Sequence, residues 1–275
     1  MSSRYTIVIP VLNQWRYTAM CLDSLQAQGV RPADILVIDN ASTDETPARL
    51  AERAARDGLG TLANRVNLGC GGAWTQGSLL ARDADWVVLL NNDVLAGPRA
   101  IEAMLDAAEA RGLKVVSPAL LEGQDDYGFD AFAPQYLLKM AGTVRRGWFH
   151  GVCFAVHRSV FEAIGFPDTD RRLGGHEDME YLVRCLRAGI EVGTVGDAVF
   201  HHFGSITQKA MKKESGAKSL GDRHYFYSRL GMGWLARKRF KHQREAQRRR
   251  WSAEENARCG HSLHMLRAEG RWRSV

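Results

Sequence analysis

No apolar segment of this 275-residue chain approaches the length needed to span a bilayer. Nor is there a signal-peptide layout, because the chain enters a strand pattern directly at Tyr5. Cysteine is scarce: Cys21, Cys70, Cys153, Cys185 and Cys259 show no metal-type spacing and read as reduced thiols, mostly core filler. The histidines His150, His157 and His176 likewise lack zinc spacing. Internal repeats are missing too. These absences argue against a membrane-spanning or disulfide-stapled chain and point to a cytoplasmic location. What remains is an ordinary globular composition, 45% hydrophobic and 25% charged, enough for one large or two modest domains. The net charge of +6 is unevenly placed: Arg237 to Arg250 carries eight Lys or Arg against one Glu, and the rest is nearly neutral.

Up to about residue 118, short apolar runs alternate with amphipathic stretches. Strands are predicted at Tyr5–Pro10, Ile35–Ile38, Val87–Leu90 and Lys114–Ser117. Between them, helices are predicted from Trp15 to about Gln28, from a Thr43 or Asp44 cap through Ala55, from Asn67-Leu-Gly-Cys-Gly-Gly72 to Leu80, and from about Pro98 to Ala110. A short extended segment lies near Leu59 to Val66. The alternation marks right-handed βαβ units and a parallel sheet. Beyond Pro118 the pattern loosens. Gly123 to Pro134 reads as a loop, Gly151–Val156 as a strand, His157–Ile164 as a short helix and Pro167–Gly175 as a loop. A helix from Glu177 to Ala188 and a strand from Glu191 to Phe200 follow, with His201-His202 just past the strand's end. From Thr207 the chain reads as helical and increasingly basic.

Polar residues cluster where strands stop. Asn91-Asn92-Asp93 follows an apolar strand, where ligands of open α/β sheets gather. Asp93 and an asparagine are suitable oxygen ligands for Mg2+ or Mn2+, although the triplet also suits a turn that caps the next helix. Asp39 can accept from a base or ribose, or simply turn the chain. The Asn67–Gly72 glycine loop admits a phosphate or sugar, or merely close packing. Glu177-Asp178 opens a helix, so one carboxylate can serve as general base, or both can complement the helix dipole. A histidine of the His201-His202 pair can complete a metal site begun by Asp93, or act as a structural donor.

Taken in order, Ile7-Val-Ile-Pro-Val-Leu-Asn13, Val37-Ile-Asp-Asn-Ala-Ser-Thr-Asp44, Asn67-Leu-Gly69, Val88-Leu-Leu-Asn-Asn-Asp-Val94, Gly151, Glu177-Asp178 and His201-His-Phe-Gly-Ser205 resemble the family 2 glycosyltransferases, rhamnosyltransferase-like branch. The resemblance covers roughly residues 4–206 and implies an inverting enzyme of the α/β GT-A fold. It implies a Rossmann-like, mostly parallel nucleotide-sugar-binding half (1–118), an acceptor and catalytic half of the same domain (119–206), and a basic helical extension (207–275). Pro10 and Asn13 would lie along the nucleotide, Asp39 and Asn40 at the base, and Asn67 and Gly69 in the donor pocket with Asn91 and Asn92. By similarity Asp93 and His201 hold Mg2+ or Mn2+, with His202 as the fallback, and Asp178 is the base supported by Glu177. Two departures stand out. Asn91 replaces the first Asp of the family's Asp-x-Asp, and Thr169-Asp-Arg-Arg-Leu-Gly-Gly-His176 replaces an aromatic-rich segment, so the acceptor does not carry over. Trp148, Phe149, Arg171 and Arg172 are candidates for an acceptor surface.

The partners so implied are a nucleotide-diphosphate sugar and a hydroxyl acceptor, on a glycan or a lipid-linked glycan. Residues 237–251, basic with Phe240 and Trp251 interleaved, suit the anionic inner face of a membrane, nucleic-acid phosphates, a subunit contact or plain solvation. Two rival functions stay open. A metal-dependent nucleotidyltransferase would want a basic glycine-rich loop after the first strand, and Val11-Leu-Asn-Gln-Trp15 is not one. A non-catalytic sugar-nucleotide or carbohydrate-binding protein sits poorly with Asp39, Asp93 and Asp178 all being present.

Overall fold

The computed structural model describes residues 4–215 and 220–275. The first half follows the expected alternation: β1 (Tyr5–Val11), α1 (Trp15–Ala27), β2 (Ile35–Asp39), α2 (Thr46–Asp57), β3 (Gly60–Ala63), α3 (Gly69–Leu80) and β4 (Trp86–Leu90). β1 pairs in parallel with β2 on one side and with β4 on the other, and β2 pairs in parallel with β3. The chain therefore builds outward from β1 in one direction and then reverses. That reversal makes the β1/β4 junction the topological switch point, where a crevice opens beyond the strand ends. All five residues of β4 are buried, as a strand covered on both faces requires.

After β4 the chain enters β5 (Val94–Ala96), so Asn91-Asn92-Asp93 turns between two strands and caps no helix. Then come α4 (Ala100–Arg111), β6 (Val115–Gly123), α5 (Phe129–Met140), β7 (Val144–Arg146), β8 (Cys153–His157), α6 (Arg158–Ile164), α7 (Glu177–Arg187) and β9 (Val192–His202). β8 is antiparallel to both β4 and β6, while β9 runs parallel to β6 and pairs with β5 and β7. The β6/β9 register shifts between Pro118 and Ala119, where proline has no N–H to give the ladder. The apolar core fills both sides of the sheet, against α1 and α4 on one and α3 and α7 on the other.

Two expectations are corrected. Of the stretch read as a loop at 123–134, only 124–128 is one: Gly123 ends β6, and 129–134 opens α5, whose Phe129, Ala133, Tyr136 and Met140 are buried at helical spacing. The C-terminal extension is not helical throughout. After α8 (Ile206–Ser215), α9 (Arg223–Arg229) and α10 (Trp234–Cys259) come β10 (His264–Ala268) and β11 (Arg271–Ser274). Residues 216–219 of that extension lie outside the described residues. β10 pairs in parallel with β6, and the hairpin turn Glu269-Gly270 has positive φ at both positions, as a type I′ turn requires. The tail thus extends the main sheet, giving the order β11-β10-β6-β8-β4-β1-β2-β3.

α10 is fastened from inside. Arg145 on β7 is buried and forms a bidentate pair with Glu255, Nε to Oε1 at 2.7 Å and Nη2 to Oε2 at 2.9 Å. The same Oε2 also accepts from the Ser262 hydroxyl at 2.9 Å and the Leu263 N–H at 2.8 Å. Trp251 is buried beside Arg145, and Phe240 packs at the edge of a small apolar cluster with Leu173 and Phe226. These two aromatics therefore face the body and offer no apolar stripe to a membrane. The exposed large apolar residues of α10 are Trp234 and Leu235 at its start. No helix among the described residues is long and apolar enough to cross a membrane.

Candidate active site

A cleft opens at the switch point. Pro10 and Val11 from β1, Asn91-Asn92-Asp93 after β4, and Asn67 and Gly69 at the start of α3 line one part of it. Arg171, Glu177 and, from α8, Gln208 and Met211 line the other.

Asparagines shape one side of the cleft. Asn40 is buried and donates through Nδ2 to Asn67 Oδ1 at 2.9 Å and to the Gly69 carbonyl at 3.2 Å. Its own Oδ1 accepts from the Leu68 N–H at 2.9 Å, so one side chain holds the whole turn. Gly69 sits at φ +77°, a conformation that glycine adopts freely. Gly71 and Gly77 are needed for packing: a Cβ would stand 2.2 Å from the Asp168 carbonyl in the first case and from a Val8 methyl in the second. Asp39 is buried at the end of β2, where Oδ1 accepts from the Ser42 N–H at 2.9 Å. Asn13 supports the same corner. Its Oδ1 accepts from Thr43 and Asp44 N–H at 2.7 and 3.3 Å, so it fastens the loop after β2; like Asp39, it is not among the cleft-lining residues.

The triplet divides its tasks. Asn92 is buried and donates to the Thr18 hydroxyl at 2.8 Å, tying the turn to α1. Asp93 is 3% exposed, and its Oδ2 accepts from the Ile206 N–H at 2.9 Å. Its Oδ1 lies 3.4 Å from His202 Nε2. Burial alone would raise the Asp93 pKa, but His202 and the Ile206 N–H outweigh it and hold the carboxylate below its usual range. Here the histidine assignment is corrected. Successive residues of a strand face opposite ways, and β9 turns His201 toward Tyr127, whose hydroxyl is 2.8 Å from Nδ1. His202, one step on, is the histidine beside Asp93. Burial opposes charge on its ring, yet Asp93 and Glu122 on either side raise its pKa to about 9. The Ser205 N–H points at the same Nε2 from 3.2 Å, so it competes with Asp93 for that nitrogen.

Among the described residues there is no cluster of three or more His, Cys, Asp or Glu for a metal. Asp93 and His202 nevertheless bring one carboxylate oxygen and one imidazole nitrogen to one place, the ring having to lose the proton that Asp93 and Glu122 stabilise before it can ligate. This donor set fits Mg2+ or Mn2+ bound through few protein ligands and completed by substrate phosphates and water.

Glu177 and Asp178, adjacent in sequence, part company. Glu177 lines the cleft, 6% exposed, and burial followed by the charge of Asp178 raises its pKa to about 7. Backbone N–H groups of residues 175–177 oppose that rise. Asp178 turns away from the cleft lining: its Oδ2 accepts from the Gly151 N–H at 3.0 Å. A Cβ on Gly151 would stand 2.6 Å from both Cβ and Oδ2 of Asp178, so only glycine permits this approach. Burial raises the Asp178 pKa against the N–H groups of Met179 and Gly151.

The four acceptor candidates separate as well. Phe149 is core, 1% exposed. Arg172 is paired to Asp170 and stacked on Tyr225. Arg171 lines the cleft, its Cγ 3.6 Å from where a Gly69 Cβ would be. Trp148 is half-buried and lies under the guanidinium of Arg244, which is 3.5 Å from its ring centroid. Arg244, close enough to sense the charge of Asp178, was not singled out from the sequence because nothing marks it among the other basic residues of the tail.

Residues 6–165 match the model of glycosyl transferase family 2, and the chain belongs to that family. An N-acetylglucosaminyl-diphospho-decaprenol L-rhamnosyltransferase of Mycobacterium tuberculosis is 29% identical over 78% of this chain and 83% of the relative. A galactofuranosyltransferase of the same organism is 31% identical over 67% of this chain and 65% of its own length. The fold resembles that of GalNAc-T7 solved with UDP, GalNAc and Mn2+, with TM-score 0.58, 16% identity, and 73% of this chain and 44% of that one covered. It also resembles a Pyrobaculum calidifontis mannosyltransferase in complex with GDP-Man and Mn2+, with TM-score 0.56, 22% identity, and 74% and 57% covered. The chain is a rhamnosyltransferase-like glycosyltransferase of the GT-A fold.

Proposed function

We propose that the protein transfers a sugar from a nucleotide-diphosphate donor to an acceptor hydroxyl, with inversion, by single displacement. The observation that carries this reading is the division of the two carboxylates. Glu177 lines the cleft together with Asp93, while Asp178 is outside that lining, fixed by the Gly151 N–H and within reach of the charge of Arg244, which lies over Trp148. Asp39, Asn40, Asn67 and Gly69 bind the nucleotide, and Arg171 draws the diphosphate by its charge. Asp93 and His202 would hold a divalent ion, which when bound would offset charge on the departing diphosphate. Asp178 accepts the proton of the acceptor hydroxyl as its oxygen attacks the anomeric carbon. The carbon–oxygen bond to the diphosphate breaks on the opposite face, so no covalent nucleophile is needed. Burial that raises the Asp178 pKa makes it a stronger base than an exposed aspartate.

The acceptor is proposed to be a glycan or lipid-linked glycan, in keeping with the diphospho-decaprenol substrate named for the mycobacterial relative. Trp234, Leu235 and the exposed cations of α10 support peripheral contact with an anionic membrane. A thermal-shift screen of nucleotide sugars with Mn2+, followed by assignment of the product anomer by NMR, tests the reading. Stabilisation by at least one nucleotide sugar and an inverted product are expected. Retention of configuration would refute the single displacement.

A further inference from the structure

α10 carries Arg244, Arg248, Trp251 and Glu255 at intervals of four, three and four, which puts them on one helical face. Toward its C-terminal end this face is satisfied, with Trp251 buried and Glu255 paired to Arg145. Toward the other end it is not. Arg244 lies over Trp148, with Phe240 5.9 Å away, and Arg248 stands one turn further along. Among the described residues neither Arg244 nor Arg248 has a carboxylate partner, whereas Arg53, Arg145 and Arg184 each have one. Burial first, and then the like charge of Arg248, lower the Arg244 pKa to about 10. The two guanidiniums, one turn apart, repel each other; Arg248 is exposed, and Asp178 adds a favourable charge at Arg244 without pairing with it. A partly buried cation with no carboxylate pair, beside a second cation at the rim, is well suited to a bound anion. A guanidinium held flat on an aromatic ring keeps its N–H edge free for a phosphate.

We propose that Arg244 and Arg248, with Trp148 beneath, form a subsite for a phosphate or diphosphate group of the acceptor, positioning its hydroxyl against Asp178. This rests on Asp178 being the base on the acceptor side. It limits the acceptor to an anionic molecule whose charge lies close to the reacting hydroxyl. Neutral glycans would bind poorly. Arg244 is a binding and positioning residue here and takes part in no proton transfer.

Isothermal titration with farnesyl diphosphate and, separately, inorganic pyrophosphate tests the subsite. The donor cleft is first filled with Mn2+ and whichever of UDP and dTDP stabilises the protein, or left empty if neither does. Arg244→Gln is expected to weaken both probes roughly 10- to 100-fold, the range for a lost charged hydrogen bond. Arg244→Lys should fall between, and nucleotide binding should not change. Tighter binding of farnesyl diphosphate than pyrophosphate would assign a lipid-linked acceptor, and equal binding the anion alone. Unchanged affinity in Arg244→Gln, or no binding of either probe by the wild type, would overturn the subsite. Failure of the base assignment reads out differently, as transfer surviving in Asp178→Asn while the probes still bind.

Discussion

Replacing Glu177 by glutamine removes a charge that the fold holds at a cost. The carboxyl is 6% exposed and its pKa rises from 4.5 to about 7, first through burial and then through Asp178. The folded protein therefore keeps a proton through a pH range in which the unfolded chain has released it. Stability falls as pH climbs from about 4.5 to about 7, and the penalty is complete above that. A shift of this size corresponds to about 3 kcal/mol at pH 8. Glu177→Gln, nearly isosteric and never charged, should be more stable than wild type by up to that amount at pH 8, and nearly equal to it at pH 4.5. Urea unfolding of the nucleotide-free protein at both pH values measures the difference. In melting temperature the gap at pH 8 would be roughly 6–12 °C, at about 2–4 °C per kcal/mol for a domain of this size. A difference that is the same at both pH values, or larger in acid, would refute the reasoning.

Three other substitutions probe separate parts of the structure. Glu255→Ala leaves the buried Arg145 without its carboxylate and should cost about 3–5 kcal/mol in urea unfolding, because the charge loses its partner inside the protein. Gly151→Ala drives a methyl into Asp178 and should lower transfer about 100-fold with nucleotide binding retained, as small misplacements of a reacting group do. Trp234→Ser together with Leu235→Ser should weaken co-sedimentation with phosphatidylserine vesicles, leaving unfolding unchanged because both side chains are exposed.

The first half of the fold was legible because each strand is a short apolar run and each helix has its stop signal. The same pattern, with Asn91-Asn92-Asp93 at the end of β4, marks the strand end at which the cleft opens. What escaped was set by competing local signals. α5 was hidden by its acidic, glycine-bearing approach and by Pro134, although Phe129, Ala133, Tyr136 and Met140 already showed helical spacing. The final hairpin was hidden because Glu269-Gly270 lacks the usual Asn-Gly signature and its strands carry arginines. His201 and His202 are separable only by knowing the register of β9, since one step along a strand changes the face. Arg244 is ordinary in sequence, and Arg171, expected on an acceptor surface, lines the cleft with Glu177; only the path of the chain gives them these places.

The most direct measurement is sugar transfer by Asp178→Asn set beside its nucleotide affinity. A missing general base should cost about 100- to 10,000-fold in turnover while leaving the donor cleft intact. The account predicts that loss, with nucleotide affinity equal to wild type. Full turnover by Asp178→Asn would contradict it.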